Sequence, residues 1–177
     1  MLNPTVSILD DAQKFRNFME YVEERKPEFT FIDVETDSPQ EKVAKLYGIG
    51  ICFDTTEAFY IPWRKNTGEE CWDWKDRNFI TWFISQLIKE TKVVNHNIIF
   101  DALVLEYNLG IDITPYIYSD TILLYHTIKE EGCDSQKPFG LKEICVAEFG
   151  EWAAKAKEVL YENIKANGGK VLKDQIV

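Results

Sequence analysis

The segment Phe29-Thr30-Phe31-Ile32-Asp33-Val34-Glu35 is an apolar run that carries two carboxylates near its end. Alternate residues of an extended strand point to the same side of a sheet, so Asp33 and Glu35 are predicted to share one face. A strand that is apolar through its middle is typical of the centre of a sheet. An acid inside such a strand is costly unless it is paired or bound to a metal ion, so the segment predicts a functional site.

A second polar pair, Asn97 and Asp101, begins the predicted helix 97–109. Residues four apart share a helix face, and we expect both to face outward. The buried stripe is predicted to be Ile98, Ala102, Leu105 and Leu109. Oxygen ligands clustered in this way suit a hard divalent cation, Mg²⁺ or Mn²⁺. Each residue also has a plainer interpretation: solvated acids at 33 and 35, a helix-surface acid at 101 and a helix cap at 97.

The remaining periodicities predict a mixed sheet surrounded by helices. Strands are predicted at 6–9, 46–53, 58–62, 92–94 and 116–118, in addition to the strand at 29–35. Helices are predicted after Asp10 or Asp11, around 79–87, at 97–109, from a cap at Ser119 or Asp120 to 128, at 141–149 and at 152–166. This order of elements indicates an α/β fold in a chain of 177 residues, a length that suits one domain.

The composition limits the partners and the compartment. A net charge of −10 opposes affinity for nucleic acid, which depends on Lys and Arg; the nearest basic candidates are Arg64, Lys65, Lys75 and Arg77. No apolar run approaches the roughly 18 residues of a spanning helix, so no membrane partner is expected. The four cysteines lack Cys-x-x-Cys spacing and the first residues lack signal-peptide features. We expect reduced thiols and a cytoplasmic location, in a bacterial cell or a phage-infected host.

Two motifs carry a family resemblance. Phe31-Ile-Asp33-Val-Glu35-Thr-Asp37-Ser38 resembles the first exonuclease motif of the DEDD 3′→5′ exonucleases, specifically the proofreading domain of family A DNA polymerases. Asn95-His-Asn97-Ile-Ile-Phe100-Asp101 resembles their second motif. Gly48–Phe53 with Tyr60–Pro62 resembles the strand pair of that domain. The resemblance implies a ribonuclease H-like mixed sheet of about five to six strands flanked by helices, with residues 1–177 forming a single exonuclease-like domain.

The resemblance also implies a reaction and a set of site residues. Asp33, Glu35 and Asp101 are the expected catalytic residues and ligands of Mg²⁺ or Mn²⁺, with two ions in the complete domain. Thr36, His96 and Asn97 are the expected substrate contacts. The implied reaction is hydrolysis of the terminal phosphodiester at a single-stranded 3′ end of DNA, which releases nucleoside 5′-monophosphates. The implied partner is the remainder of a DNA polymerase, in cis or in trans.

The chain departs from the family pattern in its third motif, Tyr-x-x-x-Asp. Tyr116 and Asp120 have this spacing but fall too early, and Asp120 is interpreted as a helix cap. Asp174 has Lys170 in place of the tyrosine. We therefore expect a domain that is incomplete at its C-terminus, either a fragment or a naturally short or split product. The alternatives are a catalytically silent structural or interaction domain and a free ribonuclease that resembles RNase D.

If the fourth carboxylate is missing, the chain should bind metal weakly and cleave slowly or not at all. A calorimetric titration of the 177-residue chain with Mn²⁺ checks this expectation. Tight Mn²⁺ binding would contradict it.

Overall fold

The computed structural model describes residues 5–128, 140–151, 171–172 and 175–176. It divides into two compact units, Met1–Thr121 and Ile122–Val177. The predicted helix at 152–166 and Asp174 lie outside the described residues. None of the helices in the described ranges combines the length and the apolarity that a bilayer crossing requires.

The first unit contains a six-stranded mixed sheet. Its strands are β1 (Thr5–Ile8), β2 (Phe29–Thr36), β3 (Leu46–Cys52), β4 (Glu57–Pro62), β5 (Lys92–Asn95) and β6 (Ile117–Asp120). They lie in the order β1-β4-β3-β2-β5-β6, and β3 runs antiparallel to both of its neighbours. The other adjacent pairs are parallel. The predicted α/β class with a mixed sheet flanked by helices is confirmed, and β2 is a central strand as expected.

Three helices belong to this unit: α1 (Ala12–Arg25), α2 (Trp74–Glu90) and α3 (Ile98–Leu109). The predicted cap of α1 is confirmed at Asp11, whose Oδ1 accepts hydrogen bonds of 2.8 Å from the backbone N–H of Gln13 and of Lys14. Gly110 ends α3 with φ +69°, a left-handed conformation that glycine adopts without steric cost. Local signals in the sequence therefore set both helix boundaries.

One face of the sheet forms the core of the first unit. The side chains of Thr30, Ile32 and Val34 in β2 are buried, and Asp33 and Glu35 alternate with them on the other face. The buried face packs against side chains of α1 and α2, among them Phe15, Phe18, Ile80, Ile84, Leu87 and Ile88. Burying this apolar set fixes the register of β2, because a slip of one residue would place both acids in the core.

The second unit contains most of α4 (Thr121–Ile128), together with α5 (Leu141–Phe149). The hydroxyl of Tyr125 donates a hydrogen bond of 3.1 Å to the carboxylate of Glu148. A short antiparallel pair is formed by β7 (Val171–Leu172) and β8 (Gln175–Ile176). The helices predicted to end at 128 and to cover 141–149 are confirmed.

Phe18 lies at the centre of the aromatic packing between α1 and the sheet. Its ring centroid is 4.7 Å from that of Phe59 and 5.9 Å from those of Phe15 and Phe83. Phe18→Ala should lower the free energy of unfolding by about 3–5 kcal/mol, because it removes buried surface and leaves a cavity. Urea denaturation measures the change. Ile99→Ala, at a side chain that is 66% exposed, is the control and should change stability by less than about 1 kcal/mol.

Candidate active site

The carboxylates of β2 lie in the part of the strand that extends beyond its pairing with β5. β5 pairs with β2 only from Phe29 to Phe31. The backbone of β2 beyond Phe31 therefore has no strand partner on that side, and its N–H groups require other acceptors. Asp33 and Glu35 extend from this stretch on the face opposite the core. The sequence prediction that they share one face agrees with the alternation of the strand.

Asp101 provides the missing acceptor. Its Oδ1 accepts a hydrogen bond of 3.0 Å from the backbone N–H of Val34, and its Oδ2 accepts one of 2.7 Å from the side-chain amide of Asn95. The side chain is only 4% exposed. These two bonds connect the first turn of α3 to the centre of the sheet, next to Asp33.

The expectation that Asp101 faces outward is wrong. The buried residues of α3 are Ile98, Asp101, Val104 and Leu105, whereas Ala102 and Leu109 are only partly buried. The helix is rotated relative to the predicted stripe because the hydrogen bond to Val34 draws Asp101 toward the sheet. A polar side chain that satisfies a buried backbone N–H is stabilised in a position that hydrophobic periodicity assigns to solvent.

Burial raises the pKa of all three carboxyl groups. Burial raises the pKa of Asp101 from an ordinary 3.8 to about 7, with a smaller contribution from the charge of Asp33. Desolvation by the surrounding protein raises the pKa of Asp33, although its side chain reaches solvent. Desolvation and then the charge of Asp33 raise the pKa of Glu35. Asp33 is thus electrostatically coupled to both of the other acids.

Asn97 and Asp120 together shape the start of α3. Asn97 adopts a left-handed conformation with φ +59°, makes no side-chain cap and is exposed. The carboxylate of Asp120 accepts hydrogen bonds from the backbone N–H of Asn97 (3.0 Å) and of Ile98 (3.1 Å). These bonds cap α3, and the expected role of Asp120 as a cap of the helix that follows it stays a prediction. A capping bond across 22 residues has no local sequence signal.

The other two expected substrate contacts have partners within the first unit. Thr36 donates a hydrogen bond of 2.9 Å to the backbone oxygen of Ser38, beside a register shift between Glu35 and Thr36. Nδ1 of His96 is 2.9 Å from the hydroxyl of Thr121. Their roles at a substrate stay predictions.

The carboxylates fit a divalent cation by their charge. None of the ion pairs between described residues involves Asp33, Glu35 or Asp101, so no lysine or arginine of this part of the chain neutralises them. Within the described ranges no three His, Cys, Asp or Glu side chains are placed closely enough to form a ready metal site. Metal binding by these three residues stays a prediction, and it requires the carboxylates to draw together when the ion binds.

Three of the four basic candidates are paired with acids. Arg64 and Arg77 both contact the carboxylate of Glu70, and Lys65 lies 3.3 Å from that of Glu69. Paired cations have little charge to offer to phosphates, so these three side chains add little to the attraction of the protein for nucleic acid.

No protein-family model matches the chain, and no curated protein matches it. Solved structures share its fold. The catalytic core of RRP6 from Trypanosoma brucei gives a TM-score of 0.55 at 12% identity, over 83% of this chain and 35% of that one. The EXO domain of Aedes aegypti Nibbler gives a TM-score of 0.53 at 11% identity, over 92% of this chain and 89% of that one. Brucella melitensis NrnC bound to pGG gives a TM-score of 0.52 at 16% identity, over 94% of this chain and 84% of that one.

The chain has a ribonuclease H-like fold. It spans about a third of the RRP6 catalytic core, but most of the length of the Nibbler EXO domain and of NrnC. The predicted ribonuclease H-like fold is therefore confirmed. At these identities the likeness establishes architecture alone.

Asp101→Asn should make the chain more stable above neutral pH in metal-free buffer. The folded state holds the Asp101 proton more tightly than the unfolded state, whose carboxyl titrates near 3.8. Wild-type stability therefore falls as pH rises between about 4 and 7, by about 4 kcal/mol at most. Asparagine keeps an acceptor for the Val34 N–H and carries no charge. Above pH 7 the variant should therefore be more stable than wild type by up to this amount, and below pH 4 this advantage should disappear.

Urea denaturation in EDTA at several pH values measures the difference between the two proteins. Glu106→Gln removes one exposed charge from the same helix and is the control, with a nearly pH-independent effect. An Asp101→Asn variant that is no more stable than wild type at pH 8 would refute the buried-charge account.

Proposed function

We propose that the chain is a metal-dependent 3′→5′ exonuclease domain of the DEDD type. The observation that carries the proposal is the buried Asp101, fixed to β2 beside Asp33 and Glu35 in a cluster of acids without a described counter-charge. The sequence likeness of the two motifs and the shared fold support the same reaction class. Acids that are buried without a counter-charge lower stability, so their presence here supports a site for metal-assisted phosphodiester hydrolysis.

Mg²⁺ or Mn²⁺ held by Asp33, Glu35 and Asp101 would supply positive charge to the scissile phosphate and lower the pKa of an attacking water. Asp33 is electrostatically coupled to both of the other acids and faces the side of the sheet opposite the core. Glu35 would bind one ion and help to orient the attacking water. Asp101 is fixed by two hydrogen bonds, and its remaining lone pairs are available to a ligand.

Two observations favour two different substrates. The chain is similar across most of its length to NrnC, which was solved with pGG bound, and this favours a free-standing nuclease that acts on short oligonucleotides or RNA. The first and second motifs resemble those of family A DNA polymerases, and this favours a proofreading domain that acts on DNA beside a polymerase. Both substrates offer the same terminal phosphodiester to the same carboxylates.

A degradation assay with 5′-labelled single-stranded DNA and RNA tests the proposal. In Mn²⁺ we expect slow stepwise shortening from the 3′ end, and EDTA should stop it because the acids then lack their cation. Asp33→Asn should reduce shortening to the metal-free background. Asp112→Asn, which replaces an exposed acid outside the cluster, is the control and should retain the wild-type rate.

The pattern of products separates the alternatives. Shortening of RNA or of dinucleotides favours a free-standing nuclease, and shortening of DNA alone favours a proofreading domain. A wild-type chain that shortens neither substrate would support the catalytically silent alternative. Shortening that persists in Asp33→Asn would reject the assignment of the site.

A further inference from the structure

The face of the sheet that carries the acids has two glycines where side chains would otherwise stand. In the register of the sheet, Gly50 of β3 lies between Asp33 and Tyr60, and Gly48 lies opposite Glu35. Cross-strand partners point to the same face, so the side chains of Asp33, Glu35 and Tyr60 lie on one surface. The glycines leave a shallow trough between β2 and β4.

Tyr60 fills one end of this trough. A Cβ atom at Gly48 would lie 2.0 Å from the hydroxyl oxygen of Tyr60 and 2.3 Å from Cζ, so the tyrosine ring lies directly over the Gly48 backbone. Only glycine permits such a close approach. A Cβ at Gly50 would meet nothing closer than 3.7 Å, so the trough stays open beside Asp33.

The hydroxyl of Tyr60 therefore occupies the place that a side chain at position 48 would take. Position 48 is the cross-strand partner of Glu35, and the side chains of cross-strand partners start about 5 Å apart. No described residue accepts a hydrogen bond from this hydroxyl. The donor next to Glu35 is available.

We propose that Tyr60 is a positioning residue for Glu35. Its ring over Gly48 limits how far the Glu35 side chain can turn toward β3. Its hydroxyl has no acceptor among the described residues and is placed to donate to the Glu35 carboxylate when a bound ion draws that carboxylate toward Asp33. The role rests on the proposed metal-dependent function, because Glu35 must reach an ion shared with Asp33. Tyr60 acts through Glu35 and makes no contact with substrate.

Two variants change this contact in different ways. Tyr60→Phe removes the hydroxyl and keeps the ring, whereas Gly48→Ala displaces the ring and keeps the tyrosine. Tyr107→Phe removes a hydroxyl from an exposed tyrosine of α3 and is the matched control. The first readout is the Mn²⁺ concentration that gives half of the metal-induced rise in melting temperature. The second readout is the separation of kcat from KM with a single-stranded oligonucleotide.

Tyr60→Phe should raise the Mn²⁺ midpoint about tenfold, which is the usual effect of removing a group that orients a metal ligand. Its kcat at a fixed Mn²⁺ concentration should fall while its KM stays constant. Gly48→Ala should change the midpoint in the same direction, and Tyr107→Phe should not change it. Because Gly48→Ala introduces a severe clash, Tyr60→Phe decides the test if that variant does not fold.

Three results would overturn the inference. In the first, Tyr60→Phe keeps the wild-type Mn²⁺ midpoint while Asp33→Asn abolishes the metal-induced shift; Tyr60 then has no positioning role and the proposed function stands. In the second, only KM rises, which makes Tyr60 a substrate contact. In the third, wild type shows neither a metal-induced shift nor shortening, and the proposed function fails together with the inference.

Discussion

The hydrogen bond from the backbone N–H of Val34 to the carboxylate of Asp101 joins the two halves of the site. It exists because β5 pairs with β2 only as far as Phe31 and leaves the next stretch of β2 without a strand partner. Without this bond α3 would have no polar link to β2 among the described side chains, and a buried N–H would be unsatisfied. One carboxylate therefore meets a structural need and brings a third acid to Asp33 and Glu35.

The same hydrogen bond holds the Asp101 carboxylate in a buried position, where its negative charge is costly. A buried carboxylate whose pKa is raised to about 7, next to two further acids, opposes folding at neutral pH. Natural proteins accept such a cost mainly at functional sites, where a ligand supplies the missing charge. A divalent cation would relieve the repulsion and the desolvation together. Stability and metal binding should therefore be coupled in this chain, with the apo protein weakest where catalysis needs the carboxylates ionised.

Much of the fold could be predicted from local signals. The alternation in β2, the Asp11 cap and Gly110 each set an element that neighbouring residues alone determine. The rotation of α3 and the cap that Asp120 provides could not be predicted in this way, because both depend on hydrogen bonds between residues far apart in the sequence. Hydrophobic periodicity treats every acid as solvent-facing, so it misplaces a buried acid that satisfies the backbone.

The charge distribution of the chain limits how strongly such a site could attract a polyanionic substrate. A chain of net charge −10, whose candidate cations are largely paired with glutamates, gains little from long-range attraction to a polyanion. Under the proposed function, binding would depend on contacts near the terminal phosphodiester, where a bound cation would reverse the local potential. This requirement is met by a short oligonucleotide, which presents few phosphates, or by a DNA end that an attached polymerase delivers. The two substrates considered in the proposed function are thus the two that an acidic domain of that function would be physically suited to bind.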